Sequence, residues 1–168
     1  MTLTDVVILT PEDPPPQPFI GIFHLWNDAR GKRDAPEWPD FKLENIETRL
    51  IPWTVVVDVL PGANDFRYRF WGTARANLIG VEMAGKNASD IPDQHMRESN
   101  IQEYKSVCEL KKPELCQTPV TTTTGRRVVF QSIRLPFIDN TGTVSNIISS
   151  MNFEQISAEH YKYYGTHR

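Results

Sequence analysis

The side chains able to do chemistry are few in this 168-residue chain, and they do not cluster in sequence. Cys108 and Cys116 lie eight apart, with no CxxC and no paired-histidine spacing. No metal site is expected from them, and the reading is a reduced pair of small apolar fillers. The chain has no G-x-S-x-G, no H-E-x-x-H, no phosphate-binding loop and no dinucleotide glycine fingerprint. One acid–base pair is left open: Asp58, set among valines in TVVVDVL, as a general base with Tyr68 as its acid partner. On an alternating strand Asp58 falls with Thr54 and Val56, on the side that more often meets solvent. Beyond that alternative, no catalytic residue is expected.

Whatever binds must therefore be held by the fold. A chain of this length is one domain with room for a real core. The net charge of −3 and dispersed basic residues argue against a nucleic-acid partner. Apolar runs such as TVVVDVL are too short to span a bilayer. The start MTLTDVV lacks a basic region and a cleavage site, so it does not read as a signal peptide, and a cytoplasmic location is expected. PEDPPPQP, within residues 1–18, reads as a stiff extended lead-in.

Periodicity supplies the elements. FIGIFHLWNDARG follows Pro18 and places Phe19, Ile22, Phe23, Trp26 and Ala29 on one helical stripe, with Gly31 as its cap. DFKLENIETRL reads as a short helix capped by Asp40. TVVVDVL and FRYRFWG, joined by PGAND, read as an antiparallel hairpin. Thr73 then caps a small helix, ARANLIG. A longer helix is expected over 94–111, with Ile101, Tyr104 and Cys108 on its apolar stripe and Pro113 ending it. LCQTPVTTTT, RVVFQSIRLPF and TVSNIISSMNF finish the chain as a meander, followed by a polar tail over 154–168. The fold class is thus α+β: a five-stranded antiparallel sheet with helices on one face, plus the leading helix.

In this order the segments resemble the PAS domain superfamily, and more narrowly the stand-alone PAS-type domains common in alphaproteobacteria. The resemblance is carried by HLWNDARG, by FRYRFWGT, by the turn Ala84-Gly85-Lys86, and by Leu135-Pro136-Phe137 before DNTG. It covers residues 19–153 and implies a sensory or interaction domain. It does not imply one ligand, because such domains bind haem, flavin, small acids or nothing. Neither haem nor flavin is expected. Haem-binding members often place a histidine on the long helix, but His95 lies about 160° from its apolar stripe at 100° per residue. Neither cysteine sits in the asparagine-cysteine-arginine type of motif that a flavin photosensor needs.

Strand alternation then sorts the faces. Phe66, Tyr68 and Phe70 share one side of their strand, against Arg67, Arg69 and Trp71 on the other. A cavity beneath the helices would be lined by Tyr68, Phe70, Tyr104, Cys108, Gln131, Ile133 and Met151, apolar with few polar points. The same set also describes a filled core. Trp71, Phe130 and Val128 share the arginine side, which needs a cover. Phe19, Phe23 and Trp26 of the leading helix are expected to pack there or to mediate a dimer. The reverse register would put Arg69 inside against an anionic ligand.

Three functions follow. The first is a non-catalytic sensory or binding module with a small-molecule pocket, acting through a homodimer or a separate signalling partner. The second is a ligand-free interaction domain, and the third an enzyme using Asp58 and Tyr68. No attached kinase, cyclase or DNA-binding segment is expected, so any output is expected to pass through contacts.

Overall fold

A computed structural model describes residues 5–121 and 127–155 of the chain. Its sheet has six strands, β1 (Asp5–Ile8), β2 (Thr54–Val59), β3 (Phe66–Trp71), β4 (Glu114–Thr121), β5 (Arg127–Ile138) and β6 (Val144–Met151). They lie in the order β1-β4-β5-β6-β2-β3, and every pairing is antiparallel. Three α-helices accompany the described sheet: α1 (Ile20–Arg30), α2 (Thr73–Ile79) and α3 (Gln94–Leu110).

The antiparallel α+β class agrees with the sequence reading, and the strand count rises by one. β1 adds at the sheet edge beside β4, and Leu9 after it is buried, its amide donating to Pro113 O at 2.9 Å. Residues Asp5–Ile8, within the expected lead-in, therefore belong to the sheet edge. The expected helix over 40–50 is replaced by single 3₁₀ turns, Trp38–Asp40, Leu43–Asn45 and Ile51–Trp53. The backbone is extended at Phe41, Lys42 and Ile46, which breaks any continuous helix there, and Pro39 and Pro52 open the flanking turns. The segment still buries Phe41, Ile46 and Leu50.

Helices cover both faces of the sheet, α2 and α3 on one and the leading helix α1 on the other. On one face α1 and the 35–50 segment bury Phe19, Ile22, Phe23 and Trp26 against Val56, Leu115, Ile133, Leu135, Phe137 and Ile148. On the other, α2 and α3 pack over Val55, Val57, Phe66, Tyr68, Trp71 and Ile147. The leading helix is sealed against its own sheet. Phe19, Phe23 and Trp26 are almost wholly buried and do not form an exposed interface. The indole of Trp26 donates from Nε1 to Pro136 O at 2.7 Å, inside the core. Trp26→Phe keeps most of the ring but orphans that carbonyl. It is expected to lower unfolding free energy by about 1–2 kcal/mol in urea denaturation.

Local signals explain the remaining elements. α3 starts where Asp93 accepts from Met96 N at 2.7 Å, an N-cap. Gly72, rather than Thr73, occupies the cap position of α2. The free edge of β3 is met by the 84–87 turn, with Tyr68 N donating to Lys86 O and Gly85 N to Tyr68 O. The β5–β6 turn is organised by Asp139, which accepts from Thr141 N, Thr141 Oγ1 and Thr143 N. Those bonds hold its carboxyl below the usual range.

Candidate ligand site

The geometry of FRYRFWGT turns on one extra residue. Val56 pairs with Phe70, but Val57 pairs with Tyr68, so Arg69 is the unpaired residue of a β-bulge. Past the bulge the alternation inverts. Tyr68 and Trp71 share the α2/α3 face, whereas Phe70 packs on the α1 face. Arg69 points outward, bonding Asp58 (Nε to Oδ1, 2.9 Å) and lying 5.7 Å from the Trp38 ring centroid. It is not inside the site. Asp58 also accepts from Asn146 Nδ2 at 2.6 Å and follows Val56 on the α1 side. Asp58 and Tyr68 therefore face opposite ways, and no acid–base pair is assembled.

The expected pocket residues separate in the same manner. Tyr68, Tyr104 and Cys108 meet on the α2/α3 face, and Met151 joins Leu78 and Phe130 nearby on that side. Phe70 and Ile133 lie on the α1 face. Gln131, in phase with Ile133, accepts from Asn152 Nδ2 at 3.1 Å and so has its partner within the chain. Trp71 and Phe130, expected on the outer side, are interior residues at 4% and 5% exposure. The phase of β5 is the opposite of the one read from sequence, because the buried residue of SIRLPF on the helix side is Arg134. Arg126 and the side chain of Val128 lie outside the described residues, as does the 122–124 part of the threonine run.

The α2/α3 face is polar where a filled core would be apolar. Strand pairing sets Glu114, Arg134, Ser149, Val55 and Trp71 in one row across the sheet. All five are buried. Arg134 donates from NH1 to Cys116 Sγ at 2.8 Å, pairs through NH2 with Glu103 of α3, and lies 5.8 Å from the Tyr104 ring centroid. Burial raises the carboxyl pKa of Glu114, against the opposing pull of Arg134. Burial likewise pushes the Cys116 and Cys108 thiols up to about 11, so both stay protonated at neutral pH.

At the other end of the row, Tyr68 meets Trp71 edge-on at 4.7 Å, and its hydroxyl lies 3.5 Å from that of Tyr104. Asn100 Nδ2 donates to Tyr68 Oη at 3.3 Å. Burial, then the neighbouring Tyr104, raises the Tyr68 phenol well above its ordinary pKa and keeps it a neutral hydroxyl. Arg75 of α2 is buried with its guanidinium 5.5 Å from the Trp71 ring centroid. Three polar atoms here, Trp71 Nε1, Glu114 Oε1 and Arg134 Nε, are buried with no hydrogen-bond partner among the described residues. A recess of about 370 Å³, lined by Ala76, Asn77, Gly80, Val81 and Glu82, opens at the end of α2.

Arg75, Glu103 and Glu114 are not singled out by the sequence, and Arg134 is read from it only as part of the outer arginine face. The available signal was an arginine placed three residues before Leu78 in a short amphipathic helix, and another within SIRLPF. His95, weighed as a haem ligand and not expected to serve as one, sits exposed in the first turn of α3.

This architecture is that of a PAS domain, and residues 16–152 match the PAS domain family model. The chain belongs to that family. No curated protein matches it. Among solved structures it is similar to an RNA-binding light-oxygen-voltage receptor, at 16% identity and a TM-score of 0.47, covering 99% of this chain and 43% of that one. It is also similar to the Vibrio cholerae VqmA dimer, described as a LuxR-type receptor, at 14% identity, TM-score 0.47, with 70% and 54% covered. A third is the blue-light photoreceptor Aureochrome1 LOV domain in its light state, at 12% identity, TM-score 0.40, with 68% and 88% covered. The chain thus spans less than half the length of the first of these and just over half of the second. Among the described residues, no helix is long and apolar enough to cross a membrane.

Proposed function

We propose that this chain is a PAS-type sensory module that holds a small molecule between its sheet and the α2/α3 layer, and that passes the signal on by contact rather than by catalysis. The observation that supports it is the buried polar row on that face. An interior meant only to be filled has little reason to bury an arginine, a carboxylic acid and an unbonded indole N–H, since each lost hydrogen bond costs stability. The opposite face, packed by α1, also buries polar groups, but they are bonded within the chain: Thr54 Oγ1 lies 2.7 Å from Ser150 Oγ, and Asn146 Nδ2 donates to Asp58 Oδ1 at 2.6 Å. Occupants that complete the polar row would turn that cost into affinity, because a ligand bound only to the native state stabilises it by mass action.

The test is a metabolite screen read by melting temperature, followed by a variant that fills the site. Leu78→Trp adds bulk beside Phe130 and Met151. Compounds that raise the melting temperature of the native chain should lose at least about tenfold in affinity for the variant. Hits that bind both proteins equally would place the ligand elsewhere and sink this reading.

A further inference from the structure

The polar row also indicates what kind of molecule would complete it, an inference that rests on the pocket reading above. Two buried indoles allow an internal comparison. Trp26, packed on the α1 face, gives its N–H to Pro136 O at 2.7 Å. Trp71 is buried to a similar degree, yet its Nε1 has no acceptor among the described residues. A buried tryptophan N–H usually finds a partner, and leaving it unmet costs about 1–3 kcal/mol. The donor is therefore held ready for an acceptor that the described residues do not bring.

Its surroundings set the rest of the ligand. The edge-on ring of Tyr68 and the cluster of Leu78, Phe130 and Met151 suit a flat, apolar body. The guanidinium of Arg75 over the indole favours an anionic acceptor over a neutral one. Ala76 and Val81 line the recess at the end of α2 and also pack on the cluster that contains Trp71. The α2 segment is thus the wall between solvent and the waiting donor.

We propose that the ligand of this site is a small carboxylate on an aromatic or similarly flat apolar body, its oxygen accepting from Trp71 Nε1 beneath α2. Trp71 is the specificity-determining residue, and α2 is the element a ligand must pass.

Benzoate, benzamide and toluene are the probes, titrated into the native chain and into Trp71→Phe by ligand-observed NMR, with melting curves alongside. The variant keeps an aromatic ring and removes the donor, so the unliganded variant should melt no lower than the native chain. Benzoate should bind the native chain more tightly than benzamide. It should lose about tenfold in affinity for the variant, the worth of one charge-assisted hydrogen bond. Toluene, which cannot accept, should bind both proteins alike. Equal benzoate affinity in the two proteins would overturn the assignment, and so would an equal loss for toluene, which would mean packing alone. Absence of benzoate binding, in a protein that retains another small molecule through native mass spectrometry, would overturn the ligand class and leave the pocket standing. Absence of both would remove the pocket as well.

Discussion

Replacing Gly72 by alanine is expected to be the most damaging small substitution in the chain, costing about 3 kcal/mol or more of unfolding free energy. The reason is close approach, not backbone freedom. Gly72 has φ −61° and ψ 142°, which alanine adopts without strain. A Cβ there would stand 2.1 Å from Pro52 O, 2.5 Å from Pro52 C and 2.8 Å from Thr54 O, all backbone atoms. None can swing aside as a side-chain tip would. Either the Ile51–Trp53 turn or the junction of β3 with α2 has to move, and the bond from Gly72 N to Thr54 O at 2.9 Å is then lost. Gly85 is the control. It has φ +79° and nothing within 4 Å of its built Cβ, so Gly85→Ala should cost only about 1 kcal/mol, the penalty for a left-handed residue. Urea unfolding of both variants checks the contrast, and a Gly72→Ala chain as stable as Gly85→Ala would contradict it. Because α2 starts at this glycine, the variant should also weaken ligand binding under Arg75 and Trp71.

The second large effect is expected at Arg134. Its guanidinium is the cation that Glu103 pairs with and that opposes the burial of Glu114, at 7% side-chain exposure for Arg134 and 13% for Glu103. Arg134→Met keeps much of the stem volume but strands buried carboxylates. Removing one member of a buried pair costs about 3–5 kcal/mol. The pH dependence has a definite sign. The carboxyl of Glu114 is already raised in the folded chain, so the folded state favours its protonated form, and that contribution is fully present at low pH and lost as pH rises through the folded pKa. Without Arg134 the pull that opposes burial disappears and the shift grows. The variant should therefore sit furthest below the native chain at neutral pH, and the gap should narrow as the solution is acidified. A small, pH-independent loss would mean that the cluster is solvated and that the helix-side face is not the closed interior described above.

Much of the framework was legible because it rests on local rules. The β-branched run TVVVDVL, the Asp93-capped helix and the closing strands each carry a period that packing did not override, and the aromatic run after PGAND marks a strand. The 35–50 segment was not legible as turns, since its apolar spacing matches a helix while its prolines and extended residues do not. β1 gave little signal, being four residues long with Val6 and Val7 exposed at the sheet edge.

The site was legible only in part, and one structural event accounts for much of that. A bulge at Arg69 shifts the phase by one residue, exchanging Phe70 for Trp71 on the helix side. Nothing in FRYRFWGT marks which arginine is the extra one. β5 failed for a different reason. Both of its faces carry apolar residues, and from sequence the face holding an arginine reads as the outer one. Arg134 is buried only because Glu103 on α3 and Cys116 on β4 converge on it, and such convergence comes from tertiary pairing rather than from spacing. Tyr68, Tyr104, Cys108 and Met151 were placed on the helix side by simple alternation and stripe rules, and they lie there.

The central claim is that the α2/α3 face holds a small molecule. Native mass spectrometry of the purified protein, compared with its denatured mass, tests it most directly. The account predicts a mass above that of the 19.3 kDa chain, or above an integral multiple of it. The excess should vanish on denaturation and should appear again after incubation of the emptied protein with a metabolite extract. A native mass equal to the bare chain or its multiple, both as purified and after that incubation, would contradict it and leave a filled interior.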